Sequence, residues 1–316
     1  MTIRPITARG SGPLTYGLVP PRAAWEAERV AEVARKQTAR LQSLPIDAVV
    51  VYDVQDESAR TNEPRPFPHM RCVDPATYAF QHLADVGVPK IVYHSGPNGD
   101  EGGLGRHLEA VDRAGGLAVL VGAPSREQRG TMSLREAYAH RRRHHPNVGI
   151  GGVRISERHH RARTEHERML RKVDQGCSFF ISQAVYSSEA AKDVLSDLKL
   201  ACDQAERPIP PALVTLTPCG SPRTLSFIEW LGVYVPPWFQ NELLHSSHML
   251  STSVKLCVGV FRDLHQFAAR KGIPLGCNVE SVSLRLDEIE ASVELVERIA
   301  DVLGPDPRMN RPNGGS

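Results

Sequence analysis

The chain carries almost no net charge: 38 basic and 36 acidic residues leave a formal +2 over 316 positions. Without a field of one sign there is no general grip for a nucleic-acid backbone or an anionic membrane surface, so a small-molecule partner is expected instead. No run approaches the ~20 apolar residues that span a bilayer. The six cysteines, Cys72, Cys177, Cys202, Cys219, Cys257 and Cys277, contain no C-x-x-C pair, and Met1 is not followed by an apolar signal segment. Both absences point to a reducing cytoplasm. The phosphate-cradling patterns G-x-G-x-x-G and G-x-x-x-x-G-K-[ST] are missing too. The glycine-rich stretch 99–105 has neither their spacing nor a lysine and reads as a loop.

What is present is repetition. Eight short β-branched runs, at 15–19, 47–52, 90–95, 117–122, 148–155, 179–185, 212–217 and 274–279, alternate with amphipathic stretches. Repeated βα units predict a parallel sheet, and eight of them close a single-domain α/β (β/α)₈ TIM barrel over 1–303. Leu286, Ile289, Val293, Val296, Ile299 and Leu303 share one face of the last outer helix; Trp25, Val30, Val33, Ala34, Leu41 and Leu44 stripe the first. Three regions exceed a minimal barrel. The Pro-rich segment 53–75 is too long for an ordinary βα connection and is expected to cover the mouth. At 231–240, Pro236-Pro237-Trp238-Phe239 breaks the helix after strand seven and offers an aromatic wall. The tail 304–316, rich in proline and glycine, is expected to be flexible.

Catalytic groups of such barrels hang from the C-terminal strand ends. The polar residues there are Asp53, Gln55, Asp56 and Glu57; His94 and Ser95; Arg154, Ser156 and Glu157; Gln183 and Tyr186; Thr217 and Cys219; Asn278 and Glu280. Any one of them can equally be a helix cap or a solvated rim residue. Gln183 stands out because its amide follows the apolar run Phe179-Phe180-Ile181 and needs partners, either a ligand edge or a backbone carbonyl. His69 and Cys72 lack further ligands at zinc spacing, and no metal site is expected. The basic run Arg141-Arg142-Arg143-His144-His145 fits a helix C-terminus, where positive charge offsets the carbonyl dipole.

The order of segments resembles the methylenetetrahydrofolate reductases. Tyr16-Gly17-Leu18-Val19-Pro20-Pro21-Arg22 is similar to that family's opening Phe-Glu-Phe-Phe-Pro-Pro-Lys/Arg. Arg171-Lys172-Val173-Asp174-Gln175-Gly176 followed by Ile181-Ser182-Gln183 resembles its Lys-Val-Asp-Ala-Gly and Ile-Thr-Gln block, and Val235-Pro236-Pro237-Trp238 its Ile-Pro-Ala/Pro-Trp element. The register runs over roughly residues 15 to 280. Pro68-His69-Met70-Arg71-Cys72 resembles the family's third strand, but strand counting gives that place to 90–95.

The resemblance implies a barrel that binds reduced folate over a flavin, with Gln183 on the pterin. It also exposes departures: Gly17 stands where the family has its proton-donating glutamate, Val121-Gly122-Ala123 where it has Arg-Gly-Asp, and Gly152 where a tyrosine packs on the flavin. Glu165 and Lys172 keep the character of two flavin contacts. The expectation is therefore a diverged reductase that converts 5,10-methylenetetrahydrofolate to 5-methyltetrahydrofolate with NAD(P)H, either directly or through weakly held FAD. Glu57, Asp53 and Glu280 are candidate acids, and Gln183, Tyr186, Trp238, His94 and Thr217 candidate substrate contacts. The alternative is a tetrahydrofolate-binding protein without catalysis. Neither nucleic acid nor membrane is an expected partner, and the oligomeric state stays open.

Overall fold

The computed structural model describes residues 12–55, 61, 63–95, 101–122 and 132–304. Eight strands close a parallel barrel in sequence order. They are β1 (Leu14–Leu18), β2 (Ala48–Val51), β3 (Lys90–Ser95), β4 (Leu117–Val121), β5 (Gly149–Arg154), β6 (Cys177–Ala184), β7 (Ala212–Leu216) and β8 (Leu275–Glu280). All eight expected runs are strands, because parallel strands covered by helices outside and packed side chains inside are apolar on both faces. The segment 68–72 adds only an antiparallel bridge, Arg22 to Cys72, so 90–95 is the third strand.

Alternation sorts each strand into two faces. Ala48, Val50, Ile91, Tyr93, Leu117, Val119, Phe179, Ile181 and Leu213 form a buried cluster inside the barrel. Their neighbours Val49, Val51, Val92, Ala118, Leu120, Phe180 and Val214 pack against the helices. Gly151 makes room inside, since a Cβ there would lie 2.5 Å from the Phe179 ring.

The helical layer comprises α1 (Ala27–Ser43), the short turn α2 (Pro75–Thr77) leading into a π-helical turn (Tyr78–His82), α3 (Glu101–Arg113), α4 (Leu134–His144), α5 (Ser156–Ala162), α6 (Glu165–Asp174), α7 (Ser188–Gln204), α8 (Pro222–Trp230), α9 (Pro237–Leu244), α10 (Met249–Lys271) and α11 (Leu286–Leu303). The expected loop at 99–105 is corrected: from Glu101 onward it is helix, because Leu104, Leu108 and Val111 bury one stripe and hold the glycines in helical geometry. Residues 99 and 100 lie outside the described set, as do 305–316 of the tail. α4 starts with a capping box, in which Ser133 and Glu136 exchange side-chain and backbone bonds, and ends in the basic run, where Arg141 Nε donates to Val148 O at 2.7 Å. No described helix is long and apolar enough to cross a membrane.

The described part of 53–75 does not fold back on β2. It reaches α8: Trp230 Nε1 donates to Glu63 O at 3.1 Å, Arg223 Nη2 to Pro66 O at 2.6 Å, and Phe67 meets Phe227 edge-on at 5.2 Å. The described residues 63–73 therefore run from α8, the helix after β7, to the loop after β1, where Val73 N donates to Pro21 O at 2.8 Å.

Candidate functional site

One half of the barrel interior is polar. In register, Thr15 on β1 pairs with Asn278 on β8, and Asn278 with Thr215 on β7. Thr15 Oγ1 donates to Asn278 Oδ1 at 2.8 Å; Asn278 Nδ2 donates to the Tyr52 hydroxyl at 2.8 Å and to Thr215 Oγ1 at 3.3 Å; Thr215 Oγ1 donates to Ser182 O at 2.6 Å. A chain of this kind satisfies each buried polar atom and fixes the rotamers of those above it.

Directly above lies Glu280. The eighth strand runs one residue beyond the expected 274–279, so Glu280 is its last member and faces Gly17 of β1 in register. A Cβ on Gly17 would lie 3.2 Å from the Glu280 Cβ and 2.7 Å from Tyr52 Cε2. The space next to Gly17 is thus filled by the Tyr52 ring, whose hydroxyl donates to the Glu280 carboxylate. Tyr93 packs edge-on against Tyr52, with centroids 4.8 Å apart. Burial pushes the Glu280 carboxyl up to about 7, with the Tyr52 hydrogen bond opposing. Burial, then the Glu280 charge, raises both tyrosines, which stay neutral donors. The result is a protonatable carboxyl inside an aromatic collar at the C-terminal end of the barrel, still partly open to the mouth. Such a group can deliver a proton to a bound molecule near neutral pH.

The other candidate acids are placed differently. Asp53 Oδ2 accepts from Ser95 N at 2.8 Å and from the Ser95 hydroxyl, tying the ends of β2 and β3 together. Glu57, with Asp56, lies outside the described residues.

Among the expected ligand contacts, Gln183 is half-buried and its Nε2 donates to Leu231 O at 2.8 Å, the backbone alternative. Tyr186 is buried: its hydroxyl donates to Thr217 O at 2.7 Å and its ring meets Phe239 edge-on. Thr217 is buried as well and accepts from Val282 N at 3.3 Å, linking the loops after β7 and β8. Trp238 stands on α9 with 55% of its surface exposed, tilted against Phe239. His94 has the opposite parity to Tyr93. It lies on the helix side of β3, 4.7 Å ring to ring from His107, in a small cavity with Leu104, Leu120 and Leu134. Burial pushes its pKa down.

Glu165 and Lys172, at the two ends of α6, likewise face the outer layer. Glu165 is buried and accepts from Ile155 N at 3.0 Å, and Lys172 Nζ donates to Val153 O at 2.6 Å. Gly152 is also outward, since a Cβ there would meet the Phe180 ring and Lys172; the inward residue at that level is Val153. Arg154 is fully buried outside the barrel, with no hydrogen-bond partner on its guanidinium among the described residues, and burial pushes it down to about 10.

Tyr52 and Tyr93, the residues that build the collar, were not among the expected contacts. Alternation carried the signal: Ala48-Val50-Tyr52 and Ile91-Tyr93 are the inward series of β2 and β3.

The architecture is that of the (β/α)₈ barrel proteins, with a polar, carboxyl-bearing mouth. No protein-family model matches the chain, and no curated protein matches it. Among solved structures, an uncharacterized protein from Clostridium thermocellum that binds two copies of 5-methyl-5,6,7,8-tetrahydrofolic acid is 37% identical, covers 94% of this chain and 98% of its own, and superposes with a TM-score of 0.82. The chain belongs to the same family as that protein. A GH113 β-1,4-mannanase at 11% identity, covering 92% of this chain and 98% of its own with a TM-score of 0.51, shares the barrel fold alone.

Proposed function

We propose that this chain binds a reduced folate at the C-terminal mouth of the barrel and reduces 5,10-methylenetetrahydrofolate to 5-methyltetrahydrofolate with a hydride from NAD(P)H. The binding half of this reading is supported by the 37%-identical relative, which holds 5-methyltetrahydrofolate. The catalytic half is carried by one observation: Glu280 stands on the strand next to Gly17, in register with it, so a carboxyl occupies the neighbourhood from which the resembling family's glutamate is missing.

In this reading Glu280 gives its proton to N10 of the substrate. The N10–CH₂ bond breaks and its electron pair stays on N10, leaving an iminium at N5. Hydride from the dihydronicotinamide adds to that carbon, giving the methyl product and NAD(P)⁺, and Glu280 regains a proton from water at the mouth. Tyr52 holds the carboxyl through its hydroxyl, and Asn278 holds Tyr52.

The residues do not fit a flavin at the mouth: Glu165 and Lys172 bond backbone groups on the helix side of β5, and Gly152 faces outward.

A binding protein without turnover is the second reading. It is favoured by the Tyr52 ring, which fills the space at Gly17. NADH oxidation measured with and without 5,10-methylenetetrahydrofolate, alongside calorimetric folate binding, separates the two. Substrate-dependent oxidation supports the reductase; saturable folate binding with no oxidation by either NADH or NADPH selects the binder.

A further inference from the structure

A cluster on the outside of the barrel, remote from the mouth, has no part in the chemistry above. His159 on α5, His166 on α6 and Asp197 on α7 bring one nitrogen or oxygen donor each to within 4.8 Å of one another. His159 is completely buried: one ring nitrogen, Nε2, lies 3.1 Å from Asp197 Oδ2, and the other, Nδ1, is a buried atom with no hydrogen-bond partner. His166 Nδ1 is also buried without a partner, and the two rings meet edge-on with centroids 5.3 Å apart. Two imidazoles in contact thus each leave a nitrogen unsatisfied, beside a carboxylate. Burying such atoms without a partner costs stability that a bound ligand would recover.

We propose that this cluster is a binding site for a divalent transition-metal ion of the zinc class, with His159, His166 and Asp197 as ligands. Two imidazole nitrogens and a carboxylate oxygen are a donor set for Zn²⁺, Co²⁺ or Ni²⁺ rather than for Mg²⁺ or Ca²⁺, which take oxygen. Three protein ligands leave a fourth position for water. Donors held at about 2.1 Å around a tetrahedral ion stand about 3.4 Å from one another, so the present separations of up to 4.8 Å must shorten on binding.

Arg163 is the competitor, its Nη2 lying 2.6 Å from Asp197 Oδ2. Its side chain is 65% exposed, so that ion pair is weak, and the carboxylate has a second oxygen to offer the metal. Because the site joins α5, α6 and α7, the ion cross-links three consecutive outer helices and acts on stability rather than on turnover. The sequence showed no such site, since its ligands are separated by 6 and 30 residues and converge only in the fold.

The test starts from the full chain stripped with a chelator. Zn²⁺ is titrated by calorimetry and by thermal unfolding, and Co²⁺ by visible absorption. One tight equivalent, a midpoint raised by about 5 °C or more at saturating Zn²⁺ and tetrahedral Co²⁺ bands are expected. His166→Ala and, as the milder change, His166→Gln should each weaken binding at least tenfold. A second, more exposed set, Glu101, His140 and His144, serves as the internal control, and His140→Ala/His144→Ala should leave the tight equivalent untouched. Absence of a stoichiometric equivalent in the parent protein, or wild-type affinity in both His166 variants, overturns the proposal. So does loss of the equivalent in the His140/His144 variant.

Discussion

Glu280→Gln should lower turnover and raise stability at the same time. The carboxyl is pushed up to about 7 from an ordinary 4.5, chiefly by burial, so the folded state favours its protonated form. The sign follows from linkage: below pH 4.5 the group is protonated whether folded or unfolded and costs nothing. Between 4.5 and 7 the folded state increasingly pays for ionising it, and above 7 the cost is constant. A shift of this size corresponds to up to about 3 kcal/mol. Glutamine keeps the shape and the hydrogen bond to Tyr52 without the charge. The variant should therefore match the parent in urea unfolding near pH 4 and exceed it by up to about 3 kcal/mol near pH 8.5. As an acid catalyst, the parent should lose rate as pH rises through 7. The variant should be slower by about 10²–10⁴-fold and lack that limb, with folate affinity little changed. Turnover within a factor of about three of the parent would remove Glu280 from the chemistry. A variant less stable than the parent at pH 8.5 would show that the carboxyl is not held against ionisation.

Gly17→Ala should destabilise the fold by about 1–3 kcal/mol, because its Cβ would meet Tyr52 at 2.7 Å and push the ring off Glu280; denaturant unfolding reads the cost, and a wild-type midpoint would show that Tyr52 yields freely. His107 is buried and neutral, its pKa pushed down to about 3 by burial and then by His94, so the fold should lose stability as pH falls from 6.5 towards 3. His107→Phe should flatten that limb in acid-unfolding curves, and an unchanged limb would assign the loss elsewhere. Gln183→Leu strips Leu231 O of its donor and should cost about 1–3 kcal/mol in urea unfolding; no change would mean the bond does not anchor the loop before α9.

The barrel was legible because the βα repeat and the burial of each strand are written locally. Most strands are short apolar runs covered on both faces; Pro237 opens α9, but Pro236-Pro237 does not break the helix before it, because α8 already ends at Trp230 and Gly232 follows with a φ of 79°. The site was legible only to the nearest residue, and in a strand one residue changes the face. His94 and Tyr93 are neighbours, yet Tyr93 enters the barrel and His94 the helix layer. Arg154 closes β5 but is turned away from the mouth by the same parity, and Lys172 sits on α6 in the outer layer. Glu280 entered the site because β8 extends one residue past its β-branched run to pair with Gly17, a contact between chain ends that no local pattern encodes. Tyr186 and Thr217 bond each other across 31 positions and stabilise the β7 end, which only the assembled barrel reveals.

The most direct measurement is a calorimetric titration of the parent protein with 5-methyltetrahydrofolate. Saturable binding is expected, with a Kd in the micromolar range or tighter, competed by 5,10-methylenetetrahydrofolate and retained by Glu280→Gln. No saturable heat at millimolar ligand would contradict it, leaving a barrel of this family with a different ligand at its mouth.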